Sequence, residues 1–277
     1  SEELLGQAIR DTGIPREDLV IATKVRGRMR SGVNGMGLTR VHINHEVDAS
    51  LRRLGLDHID LYQIHGLDPL TPIDETLWAL DDLVRSGKVR YVGISNQAAW
   101  RIAKANEIAR ANRWSRFESV QAYYTLAGRD LEREVLPMCR EESLGVMVWS
   151  PLAGGLLSGK FDRNSDGPEG ARRTSFDFPP VDRERAFSVV DAMRPIAEAH
   201  DYSVARIAQA WLLQQPGITS IIIGAKTMTQ IEDNLQATNL TLTSTELETL
   251  DSASALPVEY PAWMETFQNR DRMVLPD

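Results

Sequence analysis

The chain has 277 residues, of which 42% are hydrophobic and 25% are charged, and its formal net charge is −8. This composition is typical of a globular protein, and the length predicts a single α/β domain over residues 1–277. The negative charge argues against nucleic acid or an anionic membrane as the main partner, and no apolar run approaches the roughly 20 residues of a transmembrane helix. The single cysteine, Cys139, excludes an internal disulfide and favours a reducing cytoplasm.

Strands and helices are predicted to alternate along the chain. It opens on a helical face formed by Leu4, Ala8 and Ile9. Six short apolar runs follow, and most are succeeded by residues with a helical repeat. The predicted strands are 19–25, 59–65, 89–95, 119–122, 146–149 and 219–223. Four of the predicted helices span 97–112, 183–200, 203–215 and 227–237.

Capping residues mark several predicted helix starts. Thr39 precedes a long apolar helical face. Thr71 is predicted as an N-cap, with Pro72 in the first helical position, where proline loses no hydrogen bond. Thr243 and Glu246 form the spacing of a capping box. These signals predict where the connecting loops end.

Two segments show no regular pattern. Residues 151–182 are rich in Gly, Arg, Pro and Ser, and loops of this length in a compact domain are usually functional or disordered. The tail 256–277 carries Tyr260, Trp263 and Phe267 without a clear repeat. No internal repeat and no break in composition indicates a second domain.

The alternation predicts a parallel α/β fold, and a doubly wound sheet and a (β/α) barrel both fit it. The position of the polar residues favours the barrel, because side chains at five strand ends would converge on one mouth only if the strands close into a ring. No G-x-G-x-x-G sequence joins a strand to a helix, which argues against a dinucleotide-binding open sheet. The polar residues at strand ends are Lys24, His65, Ser95, Asn96, Gln121, Trp149 and Ser150.

Lys24 and His65 are the candidate catalytic residues. His65 ends the run 59–65, and the carboxyl end of a buried parallel strand is where α/β enzymes place their chemistry. Alternatively, His65 fills or caps the strand end. Lys24 could lower the pKa of a phenol, form a Schiff base, or be one solvated base in a loop with Arg26 and Arg28.

Six segments together resemble the aldo-keto reductases. They are ATKV at 22–25, DHIDLYQIH at 57–65, GKVRYVGISN at 87–96, VQAYY at 120–124, WSPLAGGLLSGK at 149–160 and IIIGAKTMTQIEDN at 221–234. The resemblance implies a (β/α)8 TIM barrel that uses NADPH to reduce aldehydes and ketones to alcohols. Only six of the eight barrel strands are evident in the sequence.

The resemblance also assigns the catalytic group, which in the family comprises Asp, Tyr, Lys and His at strand ends. Lys24 and His65 match its lysine and histidine. The opening SEELLG resembles the segment that follows the family's tyrosine, so the Asp, the Tyr and two strands are expected before Ser1. For a barrel of this size they would occupy about 50 residues.

The cofactor residues are likewise carried over from the family. Ser95, Asn96 and Gln121 resemble the group that binds the nicotinamide carboxamide, and Trp149 the aromatic residue on which the ring stacks. The loop over the pyrophosphate is matched by Ser150, Pro151, Leu152 and Gly154. The segment that holds the adenosine end is matched by Gly224, Lys226, Gln230, Asp233 and Asn234. The implied cofactor is NADPH/NADP+, because Lys226 would favour a 2′-phosphate, although many relatives have arginine at that position or at Gln230.

The leading function is therefore reduction of a small-molecule carbonyl substrate. A nucleotide-binding regulatory barrel with little turnover and a Schiff-base lyase using Lys24 are the alternatives. An upstream tyrosine would separate the first two, and borohydride trapping on Lys24 would support the third. The substrate would be set by loops 26–38 and 161–180 and by the tail around Trp263, and the sequence predicts no oligomeric state.

Overall fold

A computed structural model describes residues 1–165, 167–168 and 170–270 of the chain. The strands are β1 Ala22–Val25, β2 Ile59–Ile64, β3 Val89–Ser95, β4 Phe117–Tyr123, β5 Gly145–Trp149 and β6 Ile218–Ile221. They form one parallel sheet in chain order. The first helices are α1 Glu2–Thr12, α2 Arg40–Leu54, α3 Ile73–Arg85, α4 Ala99–Asn112, α5 Val135–Glu141 and α6 Arg172–Ser175. They are followed by α7 Arg183–His200, α8 Val204–Leu213, α9 Met228–Leu235, α10 Ser244–Ser254 and α11 Ala262–Asn269.

Contacts within the chain define two compact units. Unit 1 comprises Ser1–Ala122 and Met138–Met147, and unit 2 comprises Tyr123–Pro137 and Val148–Asp277. Each unit has its own buried apolar residues. The two candidate sets of functional side chains are therefore described unit by unit.

Unit 1 is organised by the register of its four neighbouring strands. Val25 pairs with Ile64, Ile64 with Ile94 and Ile94 with Val120, and all four side chains are buried. Ile64 and Ile94 face helices α3 and α4, since residues of these helices line the same small pocket. Because side chains alternate between the two faces of a strand, the residues on either side of this apolar row face the other way.

The helices of unit 1 are fastened by the expected apolar faces and caps. In α2, Ile43, Val47 and Leu54 are buried, and the Thr39 hydroxyl accepts a hydrogen bond from the backbone N–H of His42. Gly55 ends the helix with a φ of 70°, which glycine adopts at little cost. The apolar repeat and caps read from the sequence thus account for this helix.

In unit 2, helices α7, α8 and α10 pack around a buried tryptophan. Trp211 is fully buried, and its indole N–H donates to Asp251 at 3.2 Å. Arg129 joins this cluster through Asp251 at 2.8 Å and Glu132 at 2.7 Å. The cations and anions of this cluster are therefore paired, which indicates a structural role.

Most predicted elements are confirmed, with shifts of one to three residues at their ends. The predicted N-cap of α3, Thr71, is wrong. Pro72 is the N-cap in the structure, and the Thr71 hydroxyl donates to Asp68 at 2.7 Å. The tail contains a helix, α11, that no clear repeat indicated; Trp263 and Phe267 lie in it with large exposed fractions. Residues 271–277 lie outside the described residues.

Candidate active site

One row of unit 1 carries Lys24 across the sheet. Lys24 pairs with Gln63, Gln63 with Gly93, and Gly93 with Ser119. A Cβ atom on Gly93 would stand 2.7 Å from the Ser119 hydroxyl and 3.0 Å from Cγ of Gln63, so the row closes only around a glycine. The Gln63 side chain is fully buried, and neither its amide oxygen nor its nitrogen has a partner among the described residues. This row is therefore polar and incompletely satisfied.

His65 lies one step further toward the carboxyl ends of the strands. It follows β2 directly, and its backbone N–H donates to Val25 at 3.0 Å. The side-chain amide of Asn96 donates to the carbonyl of His65 at 3.1 Å and to the hydroxyl of Ser95 at 2.9 Å. The Ser95 hydroxyl in turn donates to the carbonyl of Gln121 at 2.8 Å. Four residues predicted for the site are thus joined at one edge of unit 1.

The electrostatics of this edge favour the neutral form of His65. Its pKa lies below the usual range because of partial desolvation and the positive charges of Lys24 and Arg26. Desolvation also lowers the pKa of Lys24. Neither side chain has a hydrogen-bond or ion-pair partner within the part of the chain that the structure describes. A neutral imidazole beside an uncompensated cation can donate a hydrogen bond to a substrate oxygen on which negative charge develops.

Trp149, at the end of β5, lies in unit 2 among other aromatic rings. Its ring is 5.0 Å from that of Tyr123, with an angle of 39° between the planes. The ring of Phe178 lies nearly parallel to it, at 5.7 Å and 4°. Trp149 thus offers a flat aromatic surface that already contacts another ring, and its role in binding nicotinamide stays a prediction.

The loop after Trp149 has an unusual backbone. Ser150, Ala153, Gly154 and Gly155 all have positive φ angles, from 51° to 104°. The N–H groups of its three consecutive positive-φ residues donate within the loop. Those of Ala153 and Gly155 donate to the carbonyls of Ser150 at 2.9 Å and Leu152 at 2.8 Å, and that of Gly154 donates to the Ser150 hydroxyl at 2.9 Å. Pro151 is buried and Leu152 half-buried. The phosphate-binding role of this loop stays a prediction.

Arg173 covers this loop from α6. Its guanidinium donates to the carbonyls of Ala153 at 3.2 Å and Pro179 at 2.7 Å, and it is buried. A Cβ atom on Gly154 would stand 2.6 Å from both Arg173 Nη1 and the carbonyl oxygen of Phe178. Only glycine fits under this cover.

The segment predicted for the adenosine end lies around the start of α9. Lys226 is exposed, and its ammonium donates to the carbonyl of Gly170 at 2.7 Å. Gln230 accepts from the backbone N–H of Lys226 at 2.8 Å. Gly224 is exposed, and a Cβ atom on it would meet nothing within 4 Å. Lys226 and Gln230 thus stand at a helix start, where a phosphate is favoured.

Asp233 and Asn234 have partners inside unit 2. Asp233 accepts from the Ser203 hydroxyl at 2.5 Å and from Arg206 at 2.7 Å. Asn234 is buried, and its side-chain oxygen accepts from Gln209 at 2.7 Å. These contacts fasten α9 to α8, and the cofactor role of both residues stays a prediction.

Three residues of the site escaped the sequence analysis: Gln63, Arg173 and Phe178. Gln63 could have been found, because the two-residue repeat of a strand places it on the face of His65. Arg173 and Phe178 come from a segment with no repeat, so their packing against Gly154 and Trp149 had no sequence signal.

Each unit, taken by itself, has side chains with the chemistry to hold part of a nicotinamide dinucleotide. In unit 1 these are the amides of Asn96 and Gln121, and in unit 2 the Trp149 ring and the Lys226 ammonium. Their cofactor roles stay predictions. Among residues 1–165, 167–168 and 170–270, no group of three or more His, Cys, Asp or Glu side chains is placed to hold a metal ion.

The chain belongs to the aldo/keto reductase family of oxidoreductases, whose model matches residues 1–255. The family's fold is a (β/α)8 barrel, and the six-stranded parallel sheet agrees with it. The resemblance and the fold predicted from the sequence are therefore confirmed. Within the described residues, no helix has the length and apolar character needed to cross a membrane.

Three relatives show the range of the similarity. An uncharacterized oxidoreductase, YrpG, of Bacillus subtilis (strain 168) is 39% identical over 246 residues, 87% of this chain and 74% of that protein. A versiconal hemiacetal acetate reductase of Aspergillus parasiticus is 35% identical over 269 residues, 91% of this chain and 78% of its own length. An NADH-specific methylglyoxal reductase of Escherichia coli (strain K12) is 34% identical over 262 residues, 89% of this chain and 77% of its own.

Proposed function

We propose that the protein reduces an aldehyde or ketone to the alcohol with a nicotinamide cofactor. The observation that carries this proposal is the edge of unit 1, where a neutral His65 stands near an uncompensated Lys24. A carbonyl oxygen that gains negative charge needs a hydrogen-bond donor and then a proton. His65 has the chemistry for the first task, and the charge of Lys24 can lower the pKa of the group that supplies the proton.

Each residue has a distinct role in the proposed reaction. His65 donates an N–H to the carbonyl oxygen and orients the carbonyl carbon. The Lys24 ammonium lowers the pKa of a proton-donating phenol by its charge. In the family resemblance, this phenol is that of the catalytic tyrosine. Asn96 fixes the position of His65 through the backbone carbonyl at 3.1 Å.

The cofactor is proposed to be NADPH/NADP+, which supplies the hydride when it is bound. Ser95, Asn96 and Gln121 would hold the carboxamide, and Trp149 would offer its ring to the nicotinamide. The exposed Lys226 ammonium supports a preference for the 2′-phosphate, because a single positive charge there favours the doubly charged group. The relatives named above include an NADH-specific reductase, so both cofactors belong in the test.

A steady-state assay tests this function directly. Purified protein is mixed with 4-nitrobenzaldehyde and either NADPH or NADH, and loss of the reduced nicotinamide absorbance is followed. We expect turnover with NADPH and its loss in His65→Ala. Tight cofactor binding without turnover would instead favour the regulatory barrel, and covalent trapping of an aldehyde on Lys24 by borohydride would favour the lyase.

The proposed setting is a reducing cytoplasm, with Cys139 as an inert core residue. Cys139 is buried, and burial raises the pKa of its thiol to about 12. The reactive thiolate is therefore scarce at neutral pH. Thiol-reactive reagents are expected to leave the activity of the folded protein unchanged.

A further inference from the structure

Arg26 has an unusual backbone at the edge of the site. It follows β1 two residues after Lys24, and its φ is 134°. A positive φ is uncommon for a residue with a side chain, and such strain persists where the surrounding structure holds it, often at functional sites. Here the carbonyl of Arg26 accepts from the backbone N–H of Gly37 at 2.9 Å, which holds this conformation.

The Arg26 side chain is oriented by one hydrogen bond and leaves its end open. It passes Gly66, the residue after His65, with Cδ and Nε 3.7 Å from where a Cβ atom would stand. Nε donates to the carbonyl of Leu67 at 2.7 Å. Neither Nη1 nor Nη2 has a hydrogen-bond or ion-pair partner among the described residues. A half-buried guanidinium is thus held in place with two donors unused.

Asp68, whose carboxylate is influenced by the charge of Arg26, does not occupy these donors. Asp68 accepts from the backbone N–H of Leu38 at 2.7 Å, from the Thr71 hydroxyl at 2.7 Å and from the N–H of Leu70 at 3.0 Å. Its pKa is lowered by these hydrogen bonds and by the charge of Arg26, although burial acts in the opposite direction and is the largest single influence. The Asp68 carboxylate is therefore committed to the backbone of two loops.

Arg28, in the same loop, differs from Arg26. Arg28 Nη1 donates to the carbonyls of Arg30 and Gly32 at 3.2 and 3.0 Å, and Nη2 contacts the sulfur of Met36 at 2.8 Å. Arg28 thus uses both terminal nitrogens to hold the loop. The charge of Arg26, in contrast, acts on the site itself, since it contributes to the low pKa of His65.

We propose that Arg26 binds a carboxylate of the carbonyl substrate, so that the preferred substrates are anionic aldehydes or ketones. This rests on the proposed function and names its substrate class. The two Nη donors present the planar fork that matches a carboxylate. The side chain reaches this position past Gly66, so an anion held there is close to a carbonyl oriented by His65.

Two matched aldehydes test the proposal. The first is 4-carboxybenzaldehyde, and the second is its uncharged ester, methyl 4-formylbenzoate. We expect the protein to favour the acid in kcat/KM. Arg26→Gln keeps an N–H donor for Leu67 and removes the charge. It should lower kcat/KM for the acid about 10- to 100-fold, the value of a charge-assisted hydrogen bond, and change that for the ester less than about threefold.

Two further variants serve as controls. Arg90→Gln removes the same charge from the exposed start of β3 and should leave the acid-to-ester ratio unchanged. Arg26→Lys keeps the charge but loses the fork, so it should recover only part of the preference. It also shows whether the loss in Arg26→Gln is one of folding. Equal losses for acid and ester in Arg26→Gln would overturn the proposal.

The failure of the proposed function would look different. If neither aldehyde is reduced with either cofactor, the carbonyl reductase assignment is wrong, and binding of 4-(hydroxymethyl)benzoate by calorimetry decides on Arg26. Weaker binding in Arg26→Gln than in the unaltered protein supports a carboxylate site. Unchanged binding, or no binding at all, overturns it. Reduction of both aldehydes without preference for the acid overturns the inference and leaves the proposed function intact.

Discussion

The two ends of the strands in unit 1 differ in whether their charged and titratable side chains have partners. At the start of β2, Asp60 accepts from Arg16 at 2.5 Å and from the backbone N–H of Ile21 at 2.8 Å. At the other end, the side chains of Lys24 and His65 have no hydrogen-bond or ion-pair partner among the described residues. Removing a charge from water without a partner costs stability. The amino-terminal end therefore fastens the strands, and the carboxyl-terminal end keeps its donors for a ligand.

His65→Ala is expected to have the largest effect on activity. Loss of one donor to a developing oxyanion typically lowers kcat on the order of 100- to 1000-fold. Because the imidazole has no protein partner among the described residues, the free energy of unfolding should change little. Steady-state rates and urea unfolding measure the two quantities. His65→Gln retains an N–H donor and should recover part of the rate.

A different result would remove the distinction between the two ends. If His65→Ala keeps its kcat but unfolds at lower urea, His65 fills the strand end, as its position also allowed. NADPH affinity is a further check, since the substitution should weaken it far less than it lowers the rate.

Asp60→Asn should have the reverse effect at the amino-terminal end. It leaves Arg16 without its anion, and breaking a charge-assisted hydrogen bond costs about 1.5–3 kcal/mol of unfolding free energy. The kcat below the melting transition should be unchanged, because Asp60 lies away from the proposed chemistry. The neighbouring Asp57 side chain is 91% exposed, so Asp57→Asn is the matched control with no measurable loss. A loss of kcat in Asp60→Asn would contradict the separation of roles.

The sequence predicted the strands of unit 1 because buried parallel strands are nearly continuous apolar runs. It also singled out Lys24 and His65 as candidate catalytic residues, because polar residues at the ends of apolar runs are easy to recognise. It could not predict that Pro72 rather than Thr71 caps α3, because Asp68, three residues earlier in the same loop, accepts the hydrogen bond of the Thr71 hydroxyl. Such local competition for a hydroxyl leaves no periodic signal.

The contacts of Trp149 escaped prediction for the same reason. Phe178 reaches it from a segment that follows no helical or strand repeat. Gln63 is the opposite case, because the strand repeat places it on the face of His65. Its missing partners became visible only with the register to Lys24 and Gly93.

Lys226→Ala extends the comparison to unit 2, where a cation at a helix start has only a backbone carbonyl as its partner among the described residues. If its ammonium contacts the 2′-phosphate, NADPH affinity should fall roughly tenfold to a hundredfold, equivalent to about 1.5–3 kcal/mol. NADH affinity should be nearly unchanged. Fluorescence titration with each cofactor measures both. Equal losses would mean that Lys226 holds Gly170 in place without discriminating between the cofactors.

Gln63→Met tests whether the carboxyl-terminal end gives up stability for function. The amide is fully buried without a partner among the described residues, and methionine has a similar volume. Removing an unsatisfied amide should raise the free energy of unfolding by about 1 kcal/mol. Urea unfolding measures the change. A clear destabilisation would show that the amide is satisfied in solution, for example by bound water.

The smallest expected effect is a shift in the pH profile for methyl 4-formylbenzoate. Both forms of an imidazole can donate an N–H, but an imidazolium would place a further positive charge against Lys24 and disturb the proposed arrangement. We therefore expect kcat/KM to fall as the pH decreases through the pKa of His65. Desolvation and the charges of Lys24 and Arg26 lower that pKa below the usual value of about 6.5. The protein should therefore keep its activity to a lower pH than an ordinary histidine would allow.

Arg26→Gln removes one of these two positive charges, so protonation of His65 becomes easier and its pKa rises toward the usual value. The acidic limb of the profile should therefore move to higher pH. Salt should reduce the difference between the two proteins, because it screens a partly exposed charge. Arg90→Gln should leave the limb in place. A limb that moves to lower pH, or that Arg90→Gln moves equally, would show that another group controls the rate, and Lys24 would then be the next residue to vary.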